Sequence, residues 1–163
     1  MSKILIVVDM QNDFIDGALG TKEAVAIVPY VKDVIESFDG KVYFTRDTHF
    51  ENYMETQEGA NLPVPHCIKG TKGWEIADGL YIEGAKIIDK PNFGWPHWDE
   101  ERLESVELIG LCTDICVVSN ALIIKATFPD AQVKVDSACC AGVTPETHFA
   151  ACKTMQMCQI MQK

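Results

Sequence analysis

The sequence predicts an α/β fold: a three-layer sandwich with a mostly parallel, Rossmann-like central sheet and helices on both faces. Three observations predict it. Lys3–Asp9 is a continuous β-branched run, the mark of a strand buried on both faces, and further short strand-like runs follow it. Stretches of helical periodicity separate them, as parallel strands require. The residues best suited to chemistry fall just past the strand ends, where sheets of this kind bind ligands.

Lys3–Asp9 (KILIVVD) is the first strand. Pro29 then opens a helical pattern through Phe38, with Val31, Val34, Ile35 and Phe38 on one side. Gly40 ends it, and Lys41–Arg46 (KVYFTR) reads as a second strand. Asp47–Gly84 is long, polar in parts and rich in Gly and Pro; a loop of that length inside a compact domain is usually functional. Ala85–Lys90 (AKIIDK) and Val106–Leu111 (VELIGL) are the third and fourth strands. Thr113 and Asp114 are good caps, so a helix is expected from there to about Thr127. Gln132–Asp136 is a fifth strand, and Thr144–Met157 is a helix with Pro145 near its first position. Gln159–Met161 offers a short edge strand. No repeat or linker interrupts the pattern, and 163 residues fit one domain, 1–163.

Composition narrows the function. Hydrophobic residues make up 47% and charged residues 23%, the balance of a soluble globular protein. A net charge of -10 argues against nucleic acid, because nothing offsets phosphate repulsion. No apolar run approaches the ~18 residues that span a membrane. Met1-Ser2-Lys3 runs straight into a strand without a secretory leader. Seven cysteines, an odd number in mostly apolar contexts, suit a reducing compartment. The expected location is the cytoplasm.

Four segments deliver reactive groups to one sheet edge: Asp9 ends the first strand, Asp47 and His49 follow the second, Lys90 ends the third and Cys116 follows the fourth. Cys116 would lie in the first turn of a helix, where unpaired N–H groups and the helix dipole favour thiolate and offer donors to an oxyanion. Asp9 emerges from a buried strand and is placed to take and return that proton. Lys90 would favour the thiolate or orient Asp9. Each alone has a plainer reading: a packed cysteine, a loop-capping aspartate, a snorkelling lysine. Their convergence favours chemistry. Asp47, His49 and His66 are a carboxylate and two imidazoles that suit zinc, iron or manganese. Glu58, Glu55 or Glu51 would complete the shell, while His97 and His148 read as surface or packing residues. Phe14, Phe93 and Trp95, with Trp98, flank these positions and would either pack the core or sandwich a flat ring.

Five motifs carry a resemblance: Asp9-Met10-Gln11-Asn12-Asp13-Phe14, Thr45-Arg46-Asp47-Thr48-His49, Pro65-His66-Cys67-Ile68-Lys69-Gly70-Thr71, Lys90-Pro91-Asn92-Phe93 and Gly110-Leu111-Cys112-Thr113-Asp114-Ile115-Cys116-Val117. In this order, over nearly the whole chain, they resemble the isochorismatase-like cysteine hydrolases, and within that family the nicotinamidase branch. The resemblance implies that Asp9, Lys90 and Cys116 are a catalytic triad and that a divalent metal, zinc before iron or manganese, sits on Asp47, His49 and His66, with Glu58 nearest the place of a further ligand. It also implies a cis peptide at Leu111–Cys112, setting the Cys112 N–H beside that of Cys116 as an oxyanion hole. The implied substrate is a small amide, nicotinamide first, through a Cys116 thioester; the metal set separates this branch from isochorismatase-type and carbamoyl-cleaving relatives. Another small amide or carbamoyl substrate is the alternative, and a non-catalytic ligand-binding relative is the third. A homo-oligomer, dimer or tetramer, is implied as well.

Overall fold

The apolar runs become the interior of one sheet. In a computed structural model describing residues 1–163, β1 (Ser2–Val8), β2 (Lys41–Asp47), β3 (Lys86–Lys90), β4 (Leu103–Leu111), β5 (Gln132–Ala141) and β6 (Met161–Gln162) form six strands in the order β3-β2-β1-β4-β5-β6. Every pairing is parallel. The helices are α1 (Asn12–Ile15), α2 (Lys22–Ser37), α3 (Gln57–Asn61), α4 (Val118–Thr127) and α5 (Pro145–Met157).

Successive residues of a strand point to opposite faces, so β1 feeds two cores. Ile4, Ile6 and Val8 pack with Ala121 and Ile124 of α4 and with Ala151 and Met155 of α5. Leu5 and Val7 pack with Ala24, Ile27, Val31 and Ile35 of α2. This is the expected three-layer α/β sandwich. Leu5, Val7 and Val8 have no exposed surface, and each such side chain contributes roughly 1.5–3 kcal/mol.

The layout creates a site before any side chain is considered. From β1 the sheet grows through β2 to β3 on one side, and then through β4 to β6 on the other. Connections therefore leave β1 and β4 in opposite directions, which opens a crevice between their carboxyl ends. Gly110 lets β4 lie against β1 there: its φ is +116°, and a Cβ would meet the Val8 carbonyl oxygen at 2.2 Å.

Several elements differ from expectation. Pro29 does not open its helix, which begins about two turns earlier, where the Thr21 side chain accepts from the Ala24 N–H. Ala24 and Ile27 extend the apolar stripe of Val31 and Ile35 backwards, and Pro29 sits on the exposed face. Thr113 and Asp114 do not cap a helix either. They begin a π-helical turn, Thr113–Val117, and their side chains reach α5: Thr113 Oγ1 is 2.6 Å from His148 Nδ1, and Asp114 accepts from the Val143 N–H at 2.9 Å. β5 runs on to Ala141 because Cys139, Cys140 and Ala141 are buried, as packing cysteines should be. Asp47–Gly84 is not a structureless loop: it holds two 3-10 turns, Tyr53–Glu55 and Lys72–Trp74, as well as α3. α5 begins as expected, with a Thr144–Thr147 capping box and Pro145 in its first turn. No helix is long and apolar enough to cross a membrane.

Candidate active site

The structure brings Asp9, Lys90 and Cys116 together at the carboxyl end of the sheet. Asp9 follows β1 with φ +47°, a left-handed turn that aspartate tolerates better than most residues. Its Oδ2 accepts from Lys90 Nζ at 2.8 Å, and its Oδ1 accepts from the Thr45 hydroxyl at 2.7 Å. Lys90 also donates to the Asn92 carbonyl at 3.2 Å. Both charged residues are wholly buried.

Burial pushes the Asp9 carboxyl above its usual range, while Lys90 and Thr45 hold it down. Burial alone would lower Lys90, yet the charges around it, Asp9 foremost, raise it. Cys116 differs from expectation. Burial drives its thiol well above the usual value, and Asp9 adds to this through its charge and as an acceptor for the thiol; Lys90 offsets only part. These surroundings favour the thiol over the thiolate. Position at the start of a helical segment does not create a thiolate when the sulfur is buried beside a carboxylate. Lys90 serves Asp9 first.

Beside these residues lies a cavity of about 440 Å³, lined by Cys116, Cys112, Ile115, Phe14 and Phe93 among others. Asp47, His49, Glu58 and His66 line it as well. One ligand atom from each of those four lies within 4.8 Å of all the others. His49 Nε2 is 2.9 Å from Asp47 Oδ2 and 3.0 Å from Glu58 Oε2; His66 Nε2 is 3.3 Å and 3.8 Å from the same two oxygens. Of the three glutamates considered, the cluster takes Glu58, which α3 presents after the Thr56 cap.

Whether these donors suit a cation can be judged from their partners. His66 Nδ1 faces the Val64 carbonyl at 2.8 Å, which fixes the proton there and leaves Nε2 free to ligate. Asp47 Oδ1 is buried with no hydrogen-bond partner. Burial alone would lower His49, but hydrogen bonds to Asp47 and Glu58 push it up to about 9. Burial would raise Asp47, but the two imidazoles bring it to about 2. Two carboxylates and two imidazoles drawn this close call for positive charge. They fit a divalent metal.

Other placements vary. Phe14 meets the His66 ring edge-on at 5.4 Å, and Phe93 stands 40% exposed at the rim, so both line the cavity as expected. Trp95 does not: it packs against the α4 side of the sheet, where the chain has already turned away from the opening. Trp98 is core. The Leu111–Cys112 peptide is cis, and Cys112 and Cys116 both line the cavity.

Sequence reading passed over the residues that hold this arrangement. Gln11 clamps Asp47 through its backbone, accepting from the Asp47 N–H at 2.8 Å and donating to the Asp47 carbonyl at 2.9 Å. Asp13 accepts from the Cys67 N–H at 2.8 Å, next to His66. Tyr53 is buried edge-on against His49 and His66, at 4.9 and 5.1 Å, and its hydroxyl donates to the Leu62 carbonyl just past α3. Gln11, Asp13 and Thr45 stand inside the motifs quoted above, and that was their available signal. Tyr53 had only its aromatic character in a polar stretch.

The isochorismatase-domain model matches residues 3–162. The chain belongs to the isochorismatase family. Within it, the nicotinamidase/pyrazinamidase of Mycobacterium tuberculosis is 26% identical, over 97% of this chain and 96% of that protein. The zinc complex of the pyrazinamidase of Pyrococcus horikoshii has a TM-score of 0.82 at 30% identity, covering 100% of this chain and 99% of the other. The pyrazinamidase/nicotinamidase of Streptococcus mutans gives 0.85 at 29% identity, covering 99% and 100%. This isochorismatase-family chain therefore shares its whole architecture with amide hydrolases.

Lys90→Met leaves the Asp9 carboxylate buried without its counter-ion. It should lower unfolding free energy by about 3–5 kcal/mol, read from urea midpoints; a change within about 0.5 kcal/mol would show that the pair does not hold the site.

Proposed function

We propose that this protein, one domain over residues 1–163, is a cysteine-dependent amidohydrolase that converts nicotinamide and water to nicotinate and ammonia. The observation that carries the reading is a single cavity bounded by Cys116 and by the Asp47, His49, Glu58 and His66 cluster. A pyridinecarboxamide matches both: its ring nitrogen is a ligand for a cation and its carboxamide carbon an electrophile for sulfur. Relatives named for nicotinamide and pyrazinamide support that choice.

The residues divide the work. Asp9 accepts the proton of the Cys116 thiol as the sulfur attacks the carboxamide carbon, so the resting thiol and the buried carboxylate act as a pair. The backbone N–H groups of Cys112 and Cys116 stabilise the oxyanion; losing one such donor typically costs ~3 kcal/mol. Asp9 passes its proton to the departing ammonia, leaving a thioester on Cys116. It then takes a proton from a water molecule, which adds to the thioester and releases the acid. The expelled sulfur regains the proton from Asp9. Lys90 holds Asp9 ionised and aimed throughout. Asp47, His49, Glu58 and His66 would hold a divalent ion, zinc in this reading with iron or manganese able to use the same donors, and that ion would orient the ring and order water. Seven free cysteines support a cytoplasmic location. An assembly of two or four copies rests on the family resemblance, and light scattering reads it directly.

The central test is ammonia release from nicotinamide by the pure protein, beside a panel of other small amides and carbamoyl compounds. Cys116→Ala should lower turnover by at least about 10³-fold with the fold intact; full turnover would mean another nucleophile. His49→Ala and His66→Ala should each lose bound metal, measured by elemental analysis after dialysis. Unchanged metal content in both would refute the shell.

pH dependence follows from Asp9. Only the ionised carboxylate accepts the thiol proton, so kcat/KM should fall as pH drops through a value above that of an ordinary aspartate. Thr45→Val removes a hydrogen bond that favours the carboxylate, and should move that acid limb to higher pH. A limb that stays put would remove Asp9 as its source.

A further inference from the structure

The segment between β3 and β4 carries Phe93, a wall of the cavity, yet residues 91–101 make no backbone–backbone hydrogen bond. Something else must fix it. At its start two buried side chains hold consecutive carbonyls: Lys90 donates to that of Asn92, and Asn120 donates to that of Phe93 at 3.1 Å. Asn120 stands on α4, one turn after Cys116, with no exposed surface. Its Nδ2 also donates to the Cys116 carbonyl at 2.8 Å, and its Oδ1 accepts from the Trp95 N–H at 2.8 Å. One amide thus uses both donors and its oxygen on two segments that touch the substrate cavity. Gly94, between the two bonded residues, lies so close that a Cβ would meet Ile123 Cδ1 at 2.5 Å. The segment is therefore seated on α4 with Asn120 as its peg.

We propose that Asn120 is a positioning residue that sets the gap between the Phe93 wall and the Cys116 sulfur, and so fixes how a flat ring is seated for attack. The proposal rests on the amidohydrolase reading for its kinetic part and on the hydrogen bonds alone for its structural part. Asn120 touches neither the reacting atoms nor the cavity. It acts through the backbones of Phe93 and Cys116.

The test compares the wild type with Asn120→Ala, Asn120→Asp, Phe93→Ala and the Asn120→Ala/Phe93→Ala double variant. Asn120→Asp keeps an acceptor for Trp95 and loses both donations. With nicotinamide as substrate, Asn120→Ala and Asn120→Asp should each raise KM about tenfold, the loss expected for one or two buried hydrogen bonds, with kcat within about threefold. In the double variant the combined effect should fall short of the product, because the bond to the Phe93 carbonyl no longer places a ring and only the hold on the Cys116 backbone is left to lose. Additive effects, or a fall in thermal stability without a change in KM, would overturn the proposal. Hydrogen exchange supplies a readout that needs no substrate: the Trp95 amide should lose protection in Asn120→Ala and keep it in Asn120→Asp, while β1 and β4 keep theirs in both. Unaltered protection at Trp95 in Asn120→Ala would also overturn it. If the wild type releases no ammonia from nicotinamide, the substrate reading fails and the exchange result still decides on Asn120.

Discussion

The contact between Asp9 and Lys90 is the constraint on which the rest of the structure depends. A carboxylate and an ammonium, each without exposed surface, meet at 2.8 Å from the ends of two strands that are not neighbours, with β2 between them. Desolvating each ion costs several kcal/mol, offset only where geometry is good and the remaining polar atoms are satisfied. Here they are: the Thr45 hydroxyl, from the intervening β2, takes the other Asp9 oxygen, and the Asn92 carbonyl takes a further Lys90 proton. Three strands must be in register for these groups to meet. The sheet order and the site chemistry are thus one requirement.

That pair also explains why a buried sulfur with little tendency to ionise suits the chemistry. A free thiolate beside Asp9 would put two negative charges around one lysine. With the thiol neutral the site holds one anion at rest, and in the proposed reaction proton transfer would move that charge from oxygen to sulfur without increasing it. Lys90 stays within reach of the charge in either place. Moving charge between two buried atoms in this way would ask little reorganisation of the surroundings.

The cation-binding half of the cavity is built on another plan. Asp47 and His49 come from the end of β2, but Glu58 and His66 come from the segment that covers the crevice. A backbone bridge between His49 and Ile68 ties that segment to the chain after β2, and side chains fix it further: Gln11 on the Asp47 backbone, Asp13 on Cys67 and Tyr53 against both imidazoles. The segment after β3 repeats the device with Lys90 and Asn120. Backbone ladders place the Asp9–Lys90 pair, and buried side chains join backbone bridges in placing the walls of the cavity.

Local chemistry determined much of this protein. The unbroken β-branched run Lys3–Asp9 announced a strand buried on both faces, Thr144-Pro145 announced the start of α5, and reactive residues at strand ends announced the edge where they meet. Matching motifs tied Asp9, Lys90, Cys116, Asp47, His49 and His66 to one family. What periodicity could not reveal was decided by contacts between distant segments. The start of α2 moved to Thr21 because its stripe had a core to meet, and Thr113 and Asp114 turned from caps into ties to α5. Glu58 rather than Glu51 or Glu55 joined the imidazoles, Trp95 left the pocket, and burial beside Asp9 favoured the thiol at Cys116. The physical reason is common to all of these. Periodicity and capping act within a few residues, whereas burial, charge pairing and hydrogen bonding depend on which parts of the chain the finished sheet brings within reach.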